Sequence, residues 1–296
     1  MKNKHFERKI RSPIGSLWKR IEDFIKSLFF SSNWHAKRSL GELKPEWESR
    51  IEKVCKCPDN DFIKRVPNAG IISNGWITMH NGIKVSAMGY YGKGILNMLV
   101  RNAGVHEPEE ERVFQEVLKC IKPGSTILEV GAYWAFYSLW FASEVKDAKC
   151  HMIEASHANI LSGKKNFKKT RKKGVFFQAF VDKYTDLSSK INSTITIDHY
   201  CNINQIDHLE ILHSDIQGAE ANMLQGCINM LKGRKIDFIF ISTHSSELHR
   251  ICKKFLTNFS YEKVVDIDLE KTSSHDGLLT YIKKGIAFNE SRIPRV

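Results

Sequence analysis

The chain has 296 residues, of which 42% are hydrophobic and 26% charged, an ordinary composition for a globular protein. It contains no apolar run of about 18 residues, which excludes a bilayer-spanning helix. Because the N-terminal segment has no continuous apolar stretch of signal-peptide length, we expect a cytoplasmic protein. Seven scattered cysteines indicate reduced, mostly buried thiols rather than a disulfide framework.

The net charge of +12 is concentrated in two segments. Residues 1–60 carry 14 Lys and Arg against 8 Asp and Glu, and residues 161–190 carry 9 against 2. The rest of the chain is close to neutral, which argues against a protein coated for nucleic acid. In the second segment the cations recur on a predicted helix, which favours a solvated face. A patch for acidic substrates or for an anionic membrane surface is the alternative.

In chain order, the first predicted element is an amphipathic helix over 14–29, with apolar residues on one stripe and charges opposite. Three roles stay open for it: packing on the body, peripheral contact with a membrane, or self-association. Residues 66–104 combine turn signals with short β-like runs, which predicts a small hairpin region. Residues 106–124 predict a helix, with Pro108 in its first turn and Gly124 at its end.

From about residue 125, predicted strands and helices alternate. The core strands are predicted at 125–132, 150–155, 175–181, 209–216 and 236–243, with a short strand at 194–198 and terminal strands at 261–268 and 277–284. The helices are predicted at 134–144, 157–172, 219–232 and 245–256. Five core strands alternating with four helices, followed by two strands, predict a mostly parallel, doubly wound α/β sheet with an antiparallel edge.

The first two strand ends indicate an adenosine-type ligand, because open parallel sheets bind ligands at the carboxyl ends of their strands. Glu154 ends the second strand and can accept hydrogen bonds from ribose hydroxyls, although it can also be read as an exposed helix cap. NAD fits poorly, since residues 133–135 are Tyr-Trp-Ala where a pyrophosphate requires glycines. S-adenosylmethionine carries no phosphate. It requires one close backbone approach, which Gly131 permits, with an acid before it at Glu129.

Five stretches in order resemble the FkbM-type methyltransferases, which are class I S-adenosylmethionine-dependent enzymes. They are GVHEPEEERVF (104–114), LEVGAYWAFYSLWF (128–141), MIEASHANILSGKKNF (152–167), ILHSDIQGAEANMLQG (211–226), and the closing segments FISTHSSELH (240–249) and DGLL (276–279). The resemblance implies a Rossmann-like, doubly wound, mostly parallel seven-stranded sheet with an antiparallel terminal hairpin. The sequence departs from the family motifs at Tyr133 (commonly Asn), Ala135 (Gly) and Ala155 (Pro).

The resemblance, together with the strand ends, predicts the domains and the site. We expect a basic helical extension over 1–60, a small β region over 61–104 and the methyltransferase domain over 105–296. The residues expected to bind the cofactor are Glu129, Gly131, Ala132, Tyr133, Tyr137, Ser138, Glu154, Ala155 and Asp182. Those expected to contact the substrate are His106, Trp134, Gln217 and Glu220.

Two further strand ends carry the predicted catalytic groups. Asp215 can orient a substrate hydroxyl, act as a base or bind a divalent metal, and Asp215 with Glu220 can equally be a helix cap and a first-turn acid. A neutral imidazole at His244 can remove an alcohol proton, although a strand-end His is often only a cap. The aromatic residues of the first helix are more often core than site.

The sequence therefore predicts an O-methyltransferase that transfers a methyl group from S-adenosylmethionine to a hydroxyl of a sugar, glycan or related polyol-like acceptor. Two alternatives remain: a nucleic-acid methyltransferase, supported only by the charge, and a non-catalytic binding protein on the same fold. We expect no nucleic-acid partner, and a divalent metal at Asp215 is possible but not implied. The location is predicted as cytoplasmic, with peripheral membrane contact through residues 14–29 left open.

Overall fold

The computed structural model describes residues 40–88, 92–189, 192–288 and 293. The predicted amphipathic helix at 14–29 lies outside them. The helices are α1 Pro45–Cys55, α2 Lys93–Arg101, α3 Pro108–Leu118, α4 Phe136–Glu144, α5 His157–Thr170, α6 Ile197–Ile203, α7 Glu220–Gln225, α8 Ile228–Lys232 and α9 Ser246–Leu256, with a 3₁₀ turn at Pro58–Phe62. The strands are β1 Ile72–Ser73, β2 Trp76–Thr78, β3 Lys84–Ser86, β4 Thr126–Val130, β5 Lys149–Glu154, β6 Val175–Gln178, β7 Phe180–Val181, β8 Thr194–Ile195, β9 Leu209–Ser214, β10 Ile236–Thr243, β11 Tyr261–Ile267 and β12 Gly277–Lys283.

The central sheet has seven strands in the order β11-β12-β10-β9-β4-β5-β6. The five strands from β10 to β6 are parallel, and β12 pairs antiparallel with both β10 and β11. The predicted α/β sheet with its antiparallel terminal hairpin is thus confirmed. The last strand is inserted between its neighbours rather than added at the edge. The reason is burial: six of the seven residues of β12 are buried, whereas β11 alternates with exposed positions and suits an edge.

A helix, α2, lies in the region where the sequence predicts only hairpins, next to the three-stranded sheet β1–β3. Two glycines that read as turn signals have other roles there. Gly92 caps the helix at φ +85°, and Gly94 allows α2 to pack on α1, because a Cβ at Gly94 would lie 2.1 Å from the Trp47 indole. The division of the chain into the three predicted parts stays a prediction.

Two predicted elements are interrupted. The third core strand divides at Ala179 into β6, in the main sheet, and β7, which pairs in parallel with β8. The helix predicted over 219–232 divides into α7 and α8 at Gly226. A Cβ at Gly226 would lie 2.4 Å from the Asp182 carbonyl oxygen, so this glycine lets the helix break pack directly on the end of β7. The short strand expected near 194–198 is β8, and α6 follows it unpredicted.

The seven cysteines are all free thiols, and five of them are buried, as the sequence predicts. Among the helices of the described ranges, none combines the length and the apolar character needed to cross a bilayer.

Candidate functional site

The loop between β4 and α4 forms the first part of the site. All five residues of β4 are buried, and the chain turns at Gly131, which has φ +74°. A Cβ at this position would lie 1.9 Å from the carbonyl oxygen of Asp215, so only glycine lets the loop pass against the end of β9. This close approach is to the segment after β9 and not to a ligand, so the predicted approach of a cofactor at Gly131 stays a prediction. The contact joins the predicted cofactor loop to the predicted catalytic segment.

Two buried carboxylates hold this loop through its main chain. The Glu129 side chain accepts a hydrogen bond from the Ser138 amide at 2.8 Å, in the first turn of α4. The Glu154 carboxylate accepts one from the Tyr133 amide at 2.9 Å and, with its other oxygen, one from the Ser156 amide at 2.8 Å. Burial raises the pKa of both Glu129 and Glu154, and these amide hydrogen bonds lower it in part.

The other residues predicted to bind the cofactor lie around the same strand ends. The Ala132 amide donates to the Ile153 carbonyl at 3.2 Å, and the Ala155 carbonyl accepts from the Gln178 amide group at 3.2 Å. Asp182 follows β7, and its side chain accepts from the next backbone amide. The structure thus brings the loop, Glu154 and Ala155 together, whereas Asp182 follows β7 and its amide donates to the Ile195 carbonyl of β8 at 3.2 Å.

The second part of the site is a row of three polar side chains, Asp215, Glu220 and His244, which follow β9 and β10 in the sequence. His244 lies between Glu220, whose Oε1 is 2.5 Å from Nδ1, and Asp215, whose Oδ1 is 3.1 Å from Nε2. The Glu220 side chain is fully buried, the His244 side chain is 13% exposed and the Asp215 side chain is 33% exposed. The row of side chains therefore runs from the buried Glu220 to Asp215, whose carboxylate is accessible to solvent. Glu220, predicted as a substrate contact, is placed behind His244.

The ionisation of His244 follows from these neighbours. Burial alone would lower its pKa, but the hydrogen bonds to Asp215 and Glu220, with the nearby charge of Asp276, raise the pKa to about 10. At neutral pH the ring is then an imidazolium, which does not fit the hypothesis of a neutral imidazole base. Nε2 of His244 also lies 2.7 Å from the Gln217 side-chain nitrogen, so a protonated ring requires that amide to present its oxygen instead.

Buried acids at the start of α3 contact histidine and tyrosine side chains next to the candidate site. Glu110 contacts Nε2 of His213 at 2.8 Å, and Glu107 accepts a hydrogen bond from the Tyr137 hydroxyl at 2.9 Å. His106 contacts Glu107 at 3.1 Å and Glu111 at 2.7 Å. The carboxylates around His106 raise its pKa well above the ordinary value although burial opposes the charge. The sequence predicts this helix but does not single out these acids, because nothing local shows that the helix start is buried.

The aromatic candidates pack into this cluster. The Trp134 ring stacks on Phe136 with centroids 5.0 Å apart and meets His106 edge-on at 5.4 Å. Tyr137 lies 4.1 Å from the His213 ring, between centroids. Trp134 and Tyr137 are 6% and 5% exposed, so both belong to the hydrophobic core next to the candidate site.

A metal-like group of side chains occurs elsewhere. Within the described ranges, the three-residue set with convergent ligand atoms is His208, Glu210 and Asp237. These residues lie at the starts of β9 and β10, whereas Asp215 follows the end of β9, so the two groups are at opposite ends of the strands. Asp237 pairs with Lys283, and Glu210 accepts a hydrogen bond from a backbone amide, so both acids already have protein partners.

The strand order and the helices define a Rossmann-like α/β protein, and the candidate site lies where its parallel strands end. The FkbM methyltransferase domain matches residues 102–284, more than half of the chain. The chain therefore belongs to the FkbM methyltransferase domain family, and it is an S-adenosylmethionine-dependent methyltransferase. The resemblance read from the sequence motifs is confirmed.

Several solved structures with a similar fold are named as methyltransferases, and their identity to this chain is low. A precorrin-6y C5,15-methyltransferase from Geobacter metallireducens is 11% identical, over 59% of this chain and 89% of that one, with a TM-score of 0.40. TrmK from M. capricolum, in complex with S-adenosylhomocysteine, is 12% identical over 58% and 68%, with a TM-score of 0.38. A putative rRNA methylase from Clostridium thermocellum is 9% identical over 59% and 97%, with a TM-score of 0.43. A search of curated proteins finds no match.

The chemistry of the loop fits this cofactor. Two backbone amides and the Asn159 side chain donate to the Glu154 carboxylate, which has about four acceptor positions, so one remains for a ribose hydroxyl. When bound, S-adenosylmethionine supplies an electrophilic methyl group on a sulfonium.

Proposed function

We propose that this methyltransferase acts on oxygen, at a hydroxyl of a sugar, glycan or related polyol-like acceptor. The observation that carries the proposal is the row Glu220–His244–Asp215, which ends in a solvent-reachable carboxylate beside the cofactor loop. Asp215 can accept the hydrogen bond of an acceptor hydroxyl and take its proton as the methyl group is transferred. His244, as an imidazolium held by Glu220, fixes the orientation of Asp215.

The cofactor side of the proposal uses the predicted acids. Glu154 holds the ribose, and Glu129 with Gly131 shapes the loop at the methionine end. Asp182 is proposed as a contact to the nucleoside, because it follows the strand next to β6 in the chain. We further propose that no metal is required at Asp215, since a carboxylate already paired with His244 can bind a hydroxyl directly.

The experiment is a label-transfer assay with the full chain. Methyl-labelled S-adenosylmethionine is incubated with a glycan and small-molecule extract in one arm and with total RNA in the other, each with and without a chelator. We expect label as a base-stable methyl ether in the first arm, with no effect of the chelator. Removing a general base typically costs roughly 10²–10⁴-fold in rate, so Asp215→Asn should lose most transfer while retaining cofactor binding.

A matched control is Asp207→Asn, which removes an exposed carboxylate before β9 and should leave the rate unchanged. Label found in RNA, or on nitrogen or carbon of the acceptor, would refute the proposed acceptor. Unchanged transfer by Asp215→Asn would refute the role of this carboxylate.

A further inference from the structure

The outer edge of the central sheet, at β6, carries a group of exposed apolar side chains. The described sheet ends at β6, whose neighbour is β5. Among the described residues, nine large hydrophobic side chains are exposed, and five of them fall within the short stretch 161–187. These five are Leu161, Val175, Phe180, Tyr184 and Leu187, and they are between 43% and 54% exposed. Single exposed apolar residues are ordinary on a protein surface, but a group of this kind marks an interaction site.

One face of α5 turns toward β6 and joins this group. His157, Leu161 and Lys164 are spaced four and three residues apart, so they share one face of the helix. Nδ1 of His157 lies 3.2 Å from Oε1 of Gln178, and Nζ of Lys164 lies 5.9 Å from the centroid of the Phe176 ring. Leu161 lies between these two contacts along the helix and is exposed beside the strand.

The chain that follows β6 continues the same surface. Phe177, Ala179 and Val181 pack into the core on one face of the sheet. Since side chains alternate along an extended chain, Phe180 points to the opposite face, the side on which α5 lies. It is 50% exposed, and the exposed residues of the loop after β7 come next in the chain.

The same stretch is strongly basic. Residues 161–190 contain nine Lys and Arg against two acids, and the two acids, Asp182 and Asp186, each accept a hydrogen bond from a nearby backbone amide. Six of the cations are exposed: Lys164, Lys168, Lys169, Arg171, Lys173 and Lys183. Within the described ranges, no acid forms an ion pair with Lys164, Lys168 or Lys173. The positive charge at this edge is therefore available to an anionic partner.

The composition of this surface favours a membrane over other partners. A second copy of the chain would bring like charges together. Nucleic acids favour Arg, which pairs bidentately with phosphate, and aromatic residues, which stack on bases. Here eight of the nine cations are Lys, and three of the five exposed apolar residues are aliphatic. Lysines beside aliphatic and aromatic side chains are typical of proteins that lie at the boundary between anionic head groups and acyl chains.

We propose that the exposed residues of 161–187, called the β6 surface below, bind the anionic face of a lipid bilayer. The apolar side chains insert among the acyl chains, and the lysines lie against the head groups. The inference goes beyond the proposed function, because it concerns where the enzyme is held and not which group it methylates. It is also separate from the contact left open for residues 14–29, which uses another part of the chain.

The test is co-sedimentation of the full chain with lipid vesicles. One set contains phosphatidylcholine alone, and the other contains phosphatidylcholine with phosphatidylserine at a ratio of about 3:1. We expect partitioning into the anionic vesicles to exceed that into the neutral ones by at least about tenfold at about 0.1 M salt. The difference should shrink at about 0.5 M salt, because screening shortens the range of exposed charges.

A first variant removes charge from the β6 surface. Lys164→Gln, Lys168→Gln and Lys173→Gln, combined in one chain, should lower the partition coefficient on the order of 100-fold, since each cation near an anionic surface contributes about fivefold. The substitutions leave residues 1–39 intact, so the loss reports this surface and not the N-terminal segment.

A matched control removes the same charge elsewhere. Lys254, Lys271 and Lys284 are exposed on α9 and in the segments beside β11 and β12, at the opposite end of the strand order from β6. Their combined replacement by Gln should leave the partition coefficient within about threefold of the parent, because exposed charges farther than a Debye length from the bilayer are screened.

Two further variants test the apolar contribution. Leu161→Gln and Phe180→Thr should each weaken partitioning by about fivefold to tenfold, since about half of each side chain is still free to be buried. Ile251→Gln, which changes a 37% exposed aliphatic residue of α9, is the control and should have no effect. S-adenosylhomocysteine binding should be the same in every variant as in the parent, because none of these residues contacts the cofactor loop.

No preference for anionic vesicles, equal losses in the two lysine variants, or unchanged partitioning of both Leu161→Gln and Phe180→Thr would overturn the inference. Tighter binding to a single-stranded RNA of mixed sequence than to vesicles, lost in the same lysine variant, would also overturn it and would assign the β6 surface to nucleic acid.

Discussion

Replacing Gly131 by Ala tests the close approach that joins the cofactor loop to the catalytic segment. The new methyl group would lie 1.9 Å from the Asp215 carbonyl oxygen, where ordinary contacts begin near 3.4 Å, and φ is +74°. The backbone conformation alone costs an alanine about 1–2 kcal/mol. Displacing packed backbone adds about 1–3 kcal/mol or more, so the free energy of unfolding should fall by about 2–5 kcal/mol.

Gly124→Ala is a matched control for this change. Gly124 has φ +81°, and nothing lies within 4 Å of the position that an alanine methyl group would take there, so it carries the backbone cost without the collision. Chemical denaturation of the two variants and the parent gives the difference directly. Calorimetry with S-adenosylmethionine should show weakened binding for Gly131→Ala alone, because relieving the collision must displace either the loop or Asp215. Equal destabilisation of the two variants would refute the argument from close approach.

Two more predictions concern the acids and the histidine. Glu154→Ala should weaken S-adenosylmethionine binding by about 1.5–3 kcal/mol, the worth of charge-assisted hydrogen bonds, and an unchanged dissociation constant in calorimetry would show that Glu154 is only a cap. The pKa of His244 is raised from 6.5 to about 10, so its stabilising contribution is complete below pH 6.5 and is lost as the pH rises through 10. Between pH 6.5 and pH 10, the free energy of unfolding measured by chemical denaturation should therefore fall more steeply with pH for the parent than for His244→Gln. Parallel plots of this free energy against pH would contradict the assignment.

The parallel sheet could be predicted from the sequence because its signals are local. The core strands are apolar runs, as in 126–130, and two of the helices that follow them have a local start signal, the Ser156 and Ser245 caps. The order of residues along the chain then places Gly131 and Glu154 at one edge of the sheet. For those positions, knowing the direction of the strand is enough.

The elements that sequence reasoning missed depend on contacts between distant segments. Gly94 lies in a helix because Trp47 packs against it, and Gly226 breaks a helix where the end of β7 approaches. Asp276 lies near His244 because β12 runs in the opposite direction to β10 and is inserted beside it. The last residues of the predicted strands do not include Asp276. It precedes an antiparallel strand, and its place beside the end of β10 follows only once the direction of β12 is known.

The glycine-poor loop keeps its conformation by other means than glycine. Tyr133 and Ala135 have φ of +46° and +58°, where the family motif commonly has Asn and Gly, and each such residue costs about 1–2 kcal/mol. Such strain persists where the surroundings fix the backbone, and here the fixing groups are Glu154 on the Tyr133 amide and Asn166 on the Trp134 carbonyl at 3.0 Å.

It follows that Glu154 has two tasks that a single substitution cannot separate: it accepts from the loop and it is proposed to accept from the ribose. Glu154→Gln keeps one oxygen acceptor and can hold either partner, whereas Glu154→Ala releases both. If loop support dominates, Gln should recover part of the stability of the parent, because its one oxygen can accept from the Tyr133 amide but not from the Ser156 amide as well, and it should recover only part of the cofactor affinity. If the ribose contact is absent, the two variants should differ in stability and bind S-adenosylmethionine equally.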